Sequence, residues 1–398
     1  MFQLLLAIIY LAFISLGLPD GLLGAAWPFM YVEFAVPVSY SGVIFMIIAA
    51  GTIVSSLLSD RMTRRFGTGK VTALSVALTM AALFGFSISH SFWMLCLWAI
   101  PYGLGAGGVD ASINNYVAIH YESRHMSWLH CMWGLGATIG PYIMGGVLSK
   151  GQIWNVGYRY VGFLQLGLTI ILILSLPLWK ERKTVSKDAN ETDAVLEQAE
   201  CKNENKPLTF KEILAIPGTK ATFVLFFCYC ALEQTAGLWA SSYLVLWRGV
   251  DAQTAATFAS LFYIGITVGR GLCGFITMKF NDEKMIWMGL GIIGLGIGMI
   301  LFPLGNVAAL AGLIVVGLGC APVYPCVVHS TPAKFGEDKS QAIIGIQMAC
   351  AYVGTCFMPP IFGLIGDYIS MSLFPAYMLV ILVVMFVMHR QVCQIGKE

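Results

Sequence analysis

The sequence predicts an all-α integral membrane protein, with twelve transmembrane helices in two pseudo-symmetric six-helix bundles. Three observations support this prediction. Hydrophobic residues occupy 58% of the 398 positions and charged residues only 11%, whereas soluble domains carry roughly 25% charged residues. Apolar runs of about 20 residues, long enough to cross a hydrocarbon core of about 30 Å, recur along the whole chain. One long hydrophilic segment separates these runs into two groups of equal number.

The apolar runs are numbered here as spans 1 to 12. They cover about residues 4–30, 40–59, 71–89, 93–118, 127–148, 158–179, 220–246, 255–277, 285–303, 307–329, 341–366 and 373–389. We therefore predict an N-terminal bundle at 1–179, a cytoplasmic linker at 180–219 and a C-terminal bundle at 220–398. The linker has mixed charge and no apolar periodicity, which is typical of a flexible segment. Its last part, LTFKEILAIPG, favours a short interfacial helix.

The distribution of basic residues predicts the orientation. If both termini are cytoplasmic, 19 of the 23 lysines and arginines fall in cytoplasmic segments. Cytoplasmic loops carry an excess of these residues in membrane proteins. We therefore expect a multi-pass protein of the plasma (inner) membrane with both termini in the cytoplasm.

The two halves of the chain resemble each other at a nearly constant offset. Four short matches occur in the same order, which indicates an internal repeat in parallel topology. The segment GTIVSSLLSDRMTRRFGTGK at 51 matches GITVGRGLCGFITMKFNDEK at 265, and GLGAGGVDASINN at 103 matches GLGCAPVYPCVVH at 317, both at an offset of 214. Gly136, Pro141 and Gly145 match Gly354, Pro359 and Gly363, and Asp20 and Gly24 match Glu233 and Gly237.

These motifs resemble those of the major facilitator superfamily. The loop SDRMTRRFG between spans 2 and 3 is similar to the loop signature of that superfamily, although Ser56 and Thr63 stand where glycines are usual. GLGAGGVDASINN, LHCMWGLGATIGP, GLGCAPVYP and IGIQMACAYVG resemble its fucose:proton symporter-like branch, which includes fucose and glucose/galactose permeases. The resemblance implies alternating access around a site between the halves at mid-membrane. It further implies proton-coupled symport of a monosaccharide or a similar polyhydroxylated solute.

Asp110 is the first candidate proton-coupling residue. It lies inside span 4, where a charged side chain costs about 2.5–3.5 kcal/mol and marks a functional pathway by default. Gly103, Gly107, Asp110 and Asn114 share one helical face, on which the glycines allow a neighbouring helix to approach closely. The alternative is a buried acid that only holds helices together.

Asp20 and Glu233 are the other intramembrane acids. Asp20 is the second candidate for proton coupling. It follows Pro19, whose missing amide indicates a discontinuity of span 1 of the kind found beside transporter sites; the alternative is a packing hydrogen bond. Glu233 is the repeat counterpart of Asp20 and is predicted to accept hydrogen bonds from solute hydroxyls. It could also be a third titrating group or have an intrahelical role.

A sugar needs flat apolar surfaces for its C–H face and amides or acids for its hydroxyls. Aromatic residues and polar residues in spans 1, 4, 5, 7 and 11 meet this need, although each aromatic taken alone is also compatible with packing or an interfacial position. The predicted solute-binding set is Glu233, Asn114, Asn115, His130, Trp27, Trp133, Gln234, Trp239, Gln347 and Tyr352, with Tyr243 as a further aromatic.

Four charged residues are predicted to act in gating. Asp60, Arg61 and Arg64 are expected to latch the cytoplasmic face in the outward-open state. Arg270, inside span 8, is expected to form a gating ion pair or to clamp helix-end carbonyls. His120 and His329 are predicted to cap carbonyls at helix ends.

Other functions remain open on the sequence alone. A membrane enzyme would need a clustered nucleophile, base or metal site, and no H-E-x-x-H, G-x-S-x-G or P-loop motif occurs. A proton-driven exporter of drugs or metabolites and a sodium-coupled sugar carrier are the remaining alternatives. We expect no catalytic residues, no metal and no cofactor apart from a coupling ion, H⁺ or alternatively Na⁺. The expected partners are a small solute and the bilayer, with no nucleic acid, and the expected state is a monomer.

Overall fold

The computed structural model describes residues 2–37, 40–179, 208–250, 252–302 and 305–395. Within these ranges the chain is helical and contains no β-strand. Eleven helical segments are long and apolar enough to cross a membrane, and a shorter apolar helix over Leu261–Ile276 belongs to span 8. The predicted all-α membrane fold is therefore confirmed.

The helices follow the predicted spans closely. Spans 2 to 6 are Ser41–Phe66, Thr68–Ser87, Phe92–His120, Ser123–Ser149 and Trp154–Ser175. Spans 7, 8, 9, 11 and 12 are Thr219–Leu246, Ala252–Ile276, Asp282–Leu301, Glu337–Tyr368 and Phe374–Ile395. Span 1 consists of Phe2–Gly17 and Leu22–Glu33, and span 10 consists of Asn306–Cys320 and Val323–Phe335.

Proline lies in each of the two breaks. Pro19 lies in the turn between the two helices of span 1, as the sequence indicated. Span 10 breaks at Ala321 and Pro322, which the sequence analysis did not predict. Proline removes a backbone donor and clashes with the preceding turn, so a helix that meets it bends or ends.

The predicted linker lies mostly outside the described residues. Its last part contains a short helix, Phe210–Ala215. Thr209 and Glu212 form a capping box at its start, in which each side chain accepts from the other residue's backbone amide. The helix expected in LTFKEILAIPG is therefore present.

The internal repeat reappears in the packing. A Cβ atom on Gly103 would overlap the carbonyl of Ile48, and one on Gly317 would overlap the carbonyl of Phe262. Both residues of the second pair lie 214 positions after those of the first. Span 4 therefore packs on span 2 as span 10 packs on span 8, and only glycine permits the approach.

The two halves meet along one set of spans. Spans 2, 4 and 5 of the N-terminal half contact spans 8, 10 and 11 of the C-terminal half, and the largest cluster of buried apolar side chains runs through both halves. Because the number of spans is even, the start of the first span and the end of the last span lie on the same face of the bundle. We call this the basic face, because Arg61, Arg64, Arg65, Lys70 and Arg124 belong to its loops and helix ends.

Candidate functional site

Asp20 lies in the break of span 1, in the interior of the bundle. Its carboxylate accepts a hydrogen bond from the Tyr102 hydroxyl of span 4 at 3.3 Å and one from the Trp133 indole N–H of span 5 at 2.9 Å. The side chain remains exposed although it lies among three spans. Solvent therefore reaches the interior of the bundle at Asp20.

Arg270 is a buried cation beside the same tryptophan. The residue is 3% exposed, and its guanidinium lies 5.7 Å from the centroid of the Trp133 ring and 5.8 Å from that of Tyr324. A cation within about 6 Å of an aromatic face is attracted by the ring quadrupole. Trp133 belongs to the N-terminal half and Tyr324 to the C-terminal half, so Arg270 is held by both.

Arg270 forms an ion pair with Glu233 of span 7. Its Nη2 lies 3.5 Å from a Glu233 carboxylate oxygen and donates to the Tyr229 hydroxyl at 3.4 Å. Its Nε is buried without a hydrogen-bond partner. Arg270 therefore has an ion-pair partner, Glu233, inside another span of its own half; its predicted role in gating stays a prediction.

These contacts form one continuous chain of side chains across the two halves. It runs from Tyr102 through Asp20, Trp133 and Arg270 to Glu233. We call it the central chain. Asp20 and Glu233, the acids related by the internal repeat, lie on opposite sides of the Trp133–Arg270 contact. An exposed acid, a cation and aromatic faces are the groups that can bind a polar solute and a proton.

Asp110 has a different environment from Asp20. It is 7% exposed, and its carboxylate accepts a hydrogen bond from Asn114 Nδ2 at 2.8 Å. The Asn114 Oδ1 lies 3.0 Å from His130 Nε2, so this imidazole nitrogen must donate. His130 packs edge-on against Tyr324 of the other half. Asp110 therefore belongs to a buried network joining spans 4, 5 and 10.

The remaining residues predicted to bind solute lie in several environments. Tyr352 lies near Asp20 and Asp110, and Gln234 is half-buried and follows Glu233 in span 7. Trp239 donates to the Pro359 carbonyl at 2.8 Å, and Gln347 is fully buried and exchanges hydrogen bonds with Thr331. Trp27 is buried in an apolar cluster of the N-terminal half, and Tyr243 packs against Arg248.

Asn115 lies at the contact between the halves near the basic face. It accepts a hydrogen bond from Ser340 of span 11 at 2.5 Å. Consecutive residues on a helix are rotated by about 100° from each other. Asn114 and Asn115 therefore face different partners. The structure brings Asn114 towards the central chain and Asn115 into an interface.

Two of the four residues predicted to gate, Asp60 and Arg64, lie at this same interface. Arg64 donates to the Asp60 carboxylate at 2.9 Å and to the Asp338 carbonyl of span 11 at 2.7 Å. Gln341 of span 11 donates to Ser59 and to the Ala111 carbonyl. Arg61 is exposed. Asp60 and Arg64 therefore connect the ends of spans 2 and 11, whereas Arg270 lies deeper.

Sequence reasoning missed several residues of this arrangement. Tyr102, Tyr229 and Tyr324 contact the charged groups of the central chain or stack on its neighbours. A signal for Tyr324 was present, since Tyr324 is the repeat counterpart of Asp110 at the offset of 214. Tyr102 and Tyr229 carry no comparable signal, because nothing in the sequence distinguishes them among the 16 tyrosines of the chain.

No cluster of three or more histidine, cysteine or carboxylate side chains that could hold a metal ion occurs among the described residues. The central chain itself offers one cation and two carboxylates with hydroxyl and indole donors. Its groups can bind a proton and a polar solute directly.

Comparisons with known proteins agree with this architecture. The Major Facilitator Superfamily profile matches residues 9–359. The glucose/mannose transporter GlcP of Bacillus subtilis is 20% identical over 325 residues, which cover 79% of this chain and 77% of GlcP. Bypass of stop codon protein 6 of Saccharomyces cerevisiae is 23% identical over 286 residues, 68% of this chain and 56% of the yeast protein. The chain thus spans about half the length of that yeast relative.

A solved structure has the same fold. The crystal structure of the transporter FucP in its outward conformation superposes with a TM-score of 0.78 at 15% identity, over 97% of each chain. The profile match, which spans nearly all twelve helices, identifies the family. The chain belongs to the Major Facilitator Superfamily, whose members carry small-molecule solutes across membranes and are not enzymes.

Proposed function

We propose that this transporter couples the uptake of a monosaccharide, or of a similar small polyhydroxylated solute, to the movement of protons. The observation that carries the proposal is the central chain, in which the repeat-related acids Asp20 and Glu233 face each other through Trp133 and Arg270. A site between the repeats at mid-membrane is the place where transporters of this type bind their solutes.

Glu233 and Gln234 are the proposed hydrogen-bonding groups for solute hydroxyls, and Trp133 and Tyr352 the proposed aromatic surfaces. Glu233 retains 17% side-chain exposure beside a cation that is almost fully buried. Asn114 and His130 are proposed to support the site through their hydrogen bonds in the Asp110 network. Trp27, Trp239, Asn115 and Gln347 are buried or hydrogen-bonded outside the central chain, so these four residues are not part of the proposed binding site.

Asp20 is the proposed proton-coupling group open to solvent, and Asp110 is the proposed buried one. Both hydrogen-bond donors to Asp20, a phenol and an indole, are neutral. Asp20 has no ion-pair partner among the described residues, so no fixed cation opposes its protonation. Asp110 also receives its hydrogen bond from a neutral amide, but solvent would reach it only after a rearrangement.

Alternating access is proposed to work through the interface at the basic face, which we take as cytoplasmic. Hydrogen bonds from Arg64, Ser340 and Gln341 join the halves there, while Asp20 is exposed. This combination supports an outward-facing state. The likeness to FucP in its outward conformation supports the same assignment.

Transport into proteoliposomes tests the proposal. Uptake should rise with an inward proton gradient and collapse with an uncoupler. Uptake that follows sodium at constant pH and ignores the uncoupler would refute proton coupling. The solute class is tested by a thermal-shift screen against monosaccharides, because a ligand at 100 times its dissociation constant adds about 2.7 kcal/mol of stability.

A small organic anion is the second candidate solute. The buried Arg270 has one N–H group without a partner, and its distance to Glu233, 3.5 Å, is long for a charge-assisted hydrogen bond. A carboxylate on the solute could satisfy that donor. The same screen with sugar acids beside the parent sugars separates the two classes.

A further inference from the structure

His329 connects the two halves at the basic face, away from the central chain. Its Nε2 lies 3.0 Å from the carbonyl oxygen of Tyr121, at the end of span 4. Its Nδ1 lies 2.6 Å from a carboxylate oxygen of Asp282, at the start of span 9. Ser123, at the start of span 5, donates to the other oxygen of Asp282. His329 and Asp282 of one half are therefore bonded to the connection between spans 4 and 5 of the other.

The partners of His329 determine its protonation state. A backbone carbonyl can only accept a hydrogen bond, so Nε2 must carry a proton. An ionised carboxylate also only accepts, so Nδ1 must carry a proton as well. His329 is then an imidazolium that donates on both sides, and the side chains of His329 and Asp282 are only 19% and 14% exposed. The closed interface thus holds one proton.

Other ionisable groups near His329 come from each neighbouring element. Arg124 and Glu122, beside the Tyr121–Ser123 connection, pair with each other at 3.1 Å. Burial raises the pKa of the Tyr121 phenol to about 12, so this group stays neutral. Cys326 of span 10 lies near Asp282, as does Lys334, while Glu283 follows Asp282 in span 9.

Three other histidines lie nearby: His125 packs against the Tyr121 ring, His120 precedes Tyr121, and His389 lies against the Glu283 carbonyl. His120 and His125 bond to Tyr116 and Tyr10 of their own half, and His389 bonds to its own half. His329 is the histidine that joins the two halves here, and the ordinary titration range of an imidazole falls near neutral pH.

We propose that His329 and Asp282 form a proton-binding latch that closes the basic face while His329 is doubly protonated. When the halves separate there, His329 leaves the Tyr121 carbonyl and becomes hydrated. A hydrated imidazole releases its proton above about pH 6.5. By linkage, the closed state, which binds the extra proton, is favoured at low pH and loses its advantage over the open state as the pH rises. A rising pH at the basic face therefore promotes opening there.

The distance between the halves at the basic face tests the latch. Spin labels on non-natural residues at Arg65 and Lys279, both exposed and in different halves, report opening by pulsed EPR in nanodiscs. Above about pH 6.5 the open-to-closed ratio of the parent protein should rise by up to about tenfold per pH unit through this site. His329→Gln keeps a donor for the Tyr121 carbonyl but cannot become charged, so this component of the pH dependence should vanish. Asp282→Asn should have the same effect.

His120→Gln is the matched control. His120 lies at the same face, but it bonds to the Tyr116 carbonyl and stacks on the Tyr116 ring of its own helix, so this variant should keep the parent profile. If His329→Gln also keeps the parent profile, the latch does not exist. A second measurement uses the parent protein and therefore does not depend on the folding of a variant. Imidazole ¹⁵N shifts should show both His329 nitrogens protonated in the closed state. A neutral imidazole there would overturn the proposal.

Discussion

The indole N–H of Trp133 donates to the Asp20 carboxylate at 2.9 Å. The face of the same ring lies 5.7 Å from the guanidinium of Arg270. One side chain of span 5 thus contacts an exposed acid of its own half and a buried cation of the other. Protonation of the acid and movement of the halves can affect each other through this ring.

Trp133→Phe should shift the proton dependence of uptake to higher pH. Phenylalanine keeps an aromatic face for Arg270 but loses the N–H that stabilises the ionised Asp20. A hydrogen bond to a charged group contributes about 1.5–3 kcal/mol, so half-maximal uptake should move by about one to two pH units. The measurement is initial uptake into proteoliposomes over a series of external pH values.

Trp239→Phe is the control for this experiment. Its indole also donates, but to the Pro359 carbonyl within the C-terminal half, so its pH profile should stay that of the parent. Tyr102→Phe removes the longer of the two hydrogen bonds to Asp20 and should give a smaller shift in the same direction. An unchanged profile for Trp133→Phe would show that the indole does not influence the proton site.

Asp110→Asn should separate coupling from folding. The amide still accepts the hydrogen bond from Asn114 and is cheaper to bury than a carboxylate, so the variant should fold. If Asp110 carries the proton, solute counterflow should persist and accumulation against a gradient should be lost. Both are measured on one preparation.

Asp20→Asn completes the comparison between the two acids. If Asp20 carries the proton, this variant should lose accumulation and keep counterflow, and Asp110→Asn should accumulate solute like the parent. If Asp110 is only a packing group, its substitution should instead lower the unfolding temperature and reduce both activities together. Accumulation by both single variants would exclude a proton role for either acid.

The sequence was sufficient for the architecture because membrane spans are set by local composition. Apolar length alone located every span, and Pro19 indicated the break in span 1. Ala321 and Pro322 break span 10 in the same way, but the segment GLGCAPVYPCVVH that contains them matches GLGAGGVDASINN, which forms a continuous helix in the first half, so the repeat did not indicate this break. The repeat also predicted the packing, as the Gly103 and Gly317 contacts show.

The sequence was less informative about the site, because the packing of the spans determines how deep each side chain lies and which way each helix face points. It named both Asp20 and Trp133, but nothing local indicates that they are hydrogen-bonded across spans 1 and 5. It treated Asn114 and Asn115 alike, yet one bonds to Asp110 and the other to Ser340 of the opposite half. It also could not supply the His329–Asp282 contact, since the partners lie 47 positions apart.

Arg270→Met should destabilise the protein because it leaves the Glu233 carboxylate without its ion-pair partner. Removing one partner of a buried ion pair costs about 3–5 kcal/mol, whereas removing both is often nearly neutral. Because Glu233 keeps some exposure, we expect the lower end of that range. Arg270→Met combined with Glu233→Gln should recover part of the unfolding temperature, measured by thermal shift.

A substitution at Glu233 alone tests whether this residue binds the solute. Glu233→Gln alone keeps the shape of the side chain but weakens its hydrogen bonds, so solute affinity should fall by about 1.5–3 kcal/mol if Glu233 binds hydroxyls. Calorimetry measures this. Unchanged affinity would restrict Glu233 to its ion pair with Arg270.

Gly345→Ala should shift the protein towards an open basic face. A Cβ atom at Gly345 of span 11 would overlap the Ser56 carbonyl of span 2 and lie 2.8 Å from Ser59 Oγ. This clash exists only while the two halves touch there, so the closed state is destabilised and the open state is not. The variant should therefore show more rapid hydrogen exchange at the facing ends of spans 2 and 11, together with lower affinity for a solute added from the opposite face. Gly291→Ala, where an added Cβ meets nothing within 4 Å, controls for the loss of a glycine. Equal exchange in the two variants would mean that spans 2 and 11 do not close the basic face.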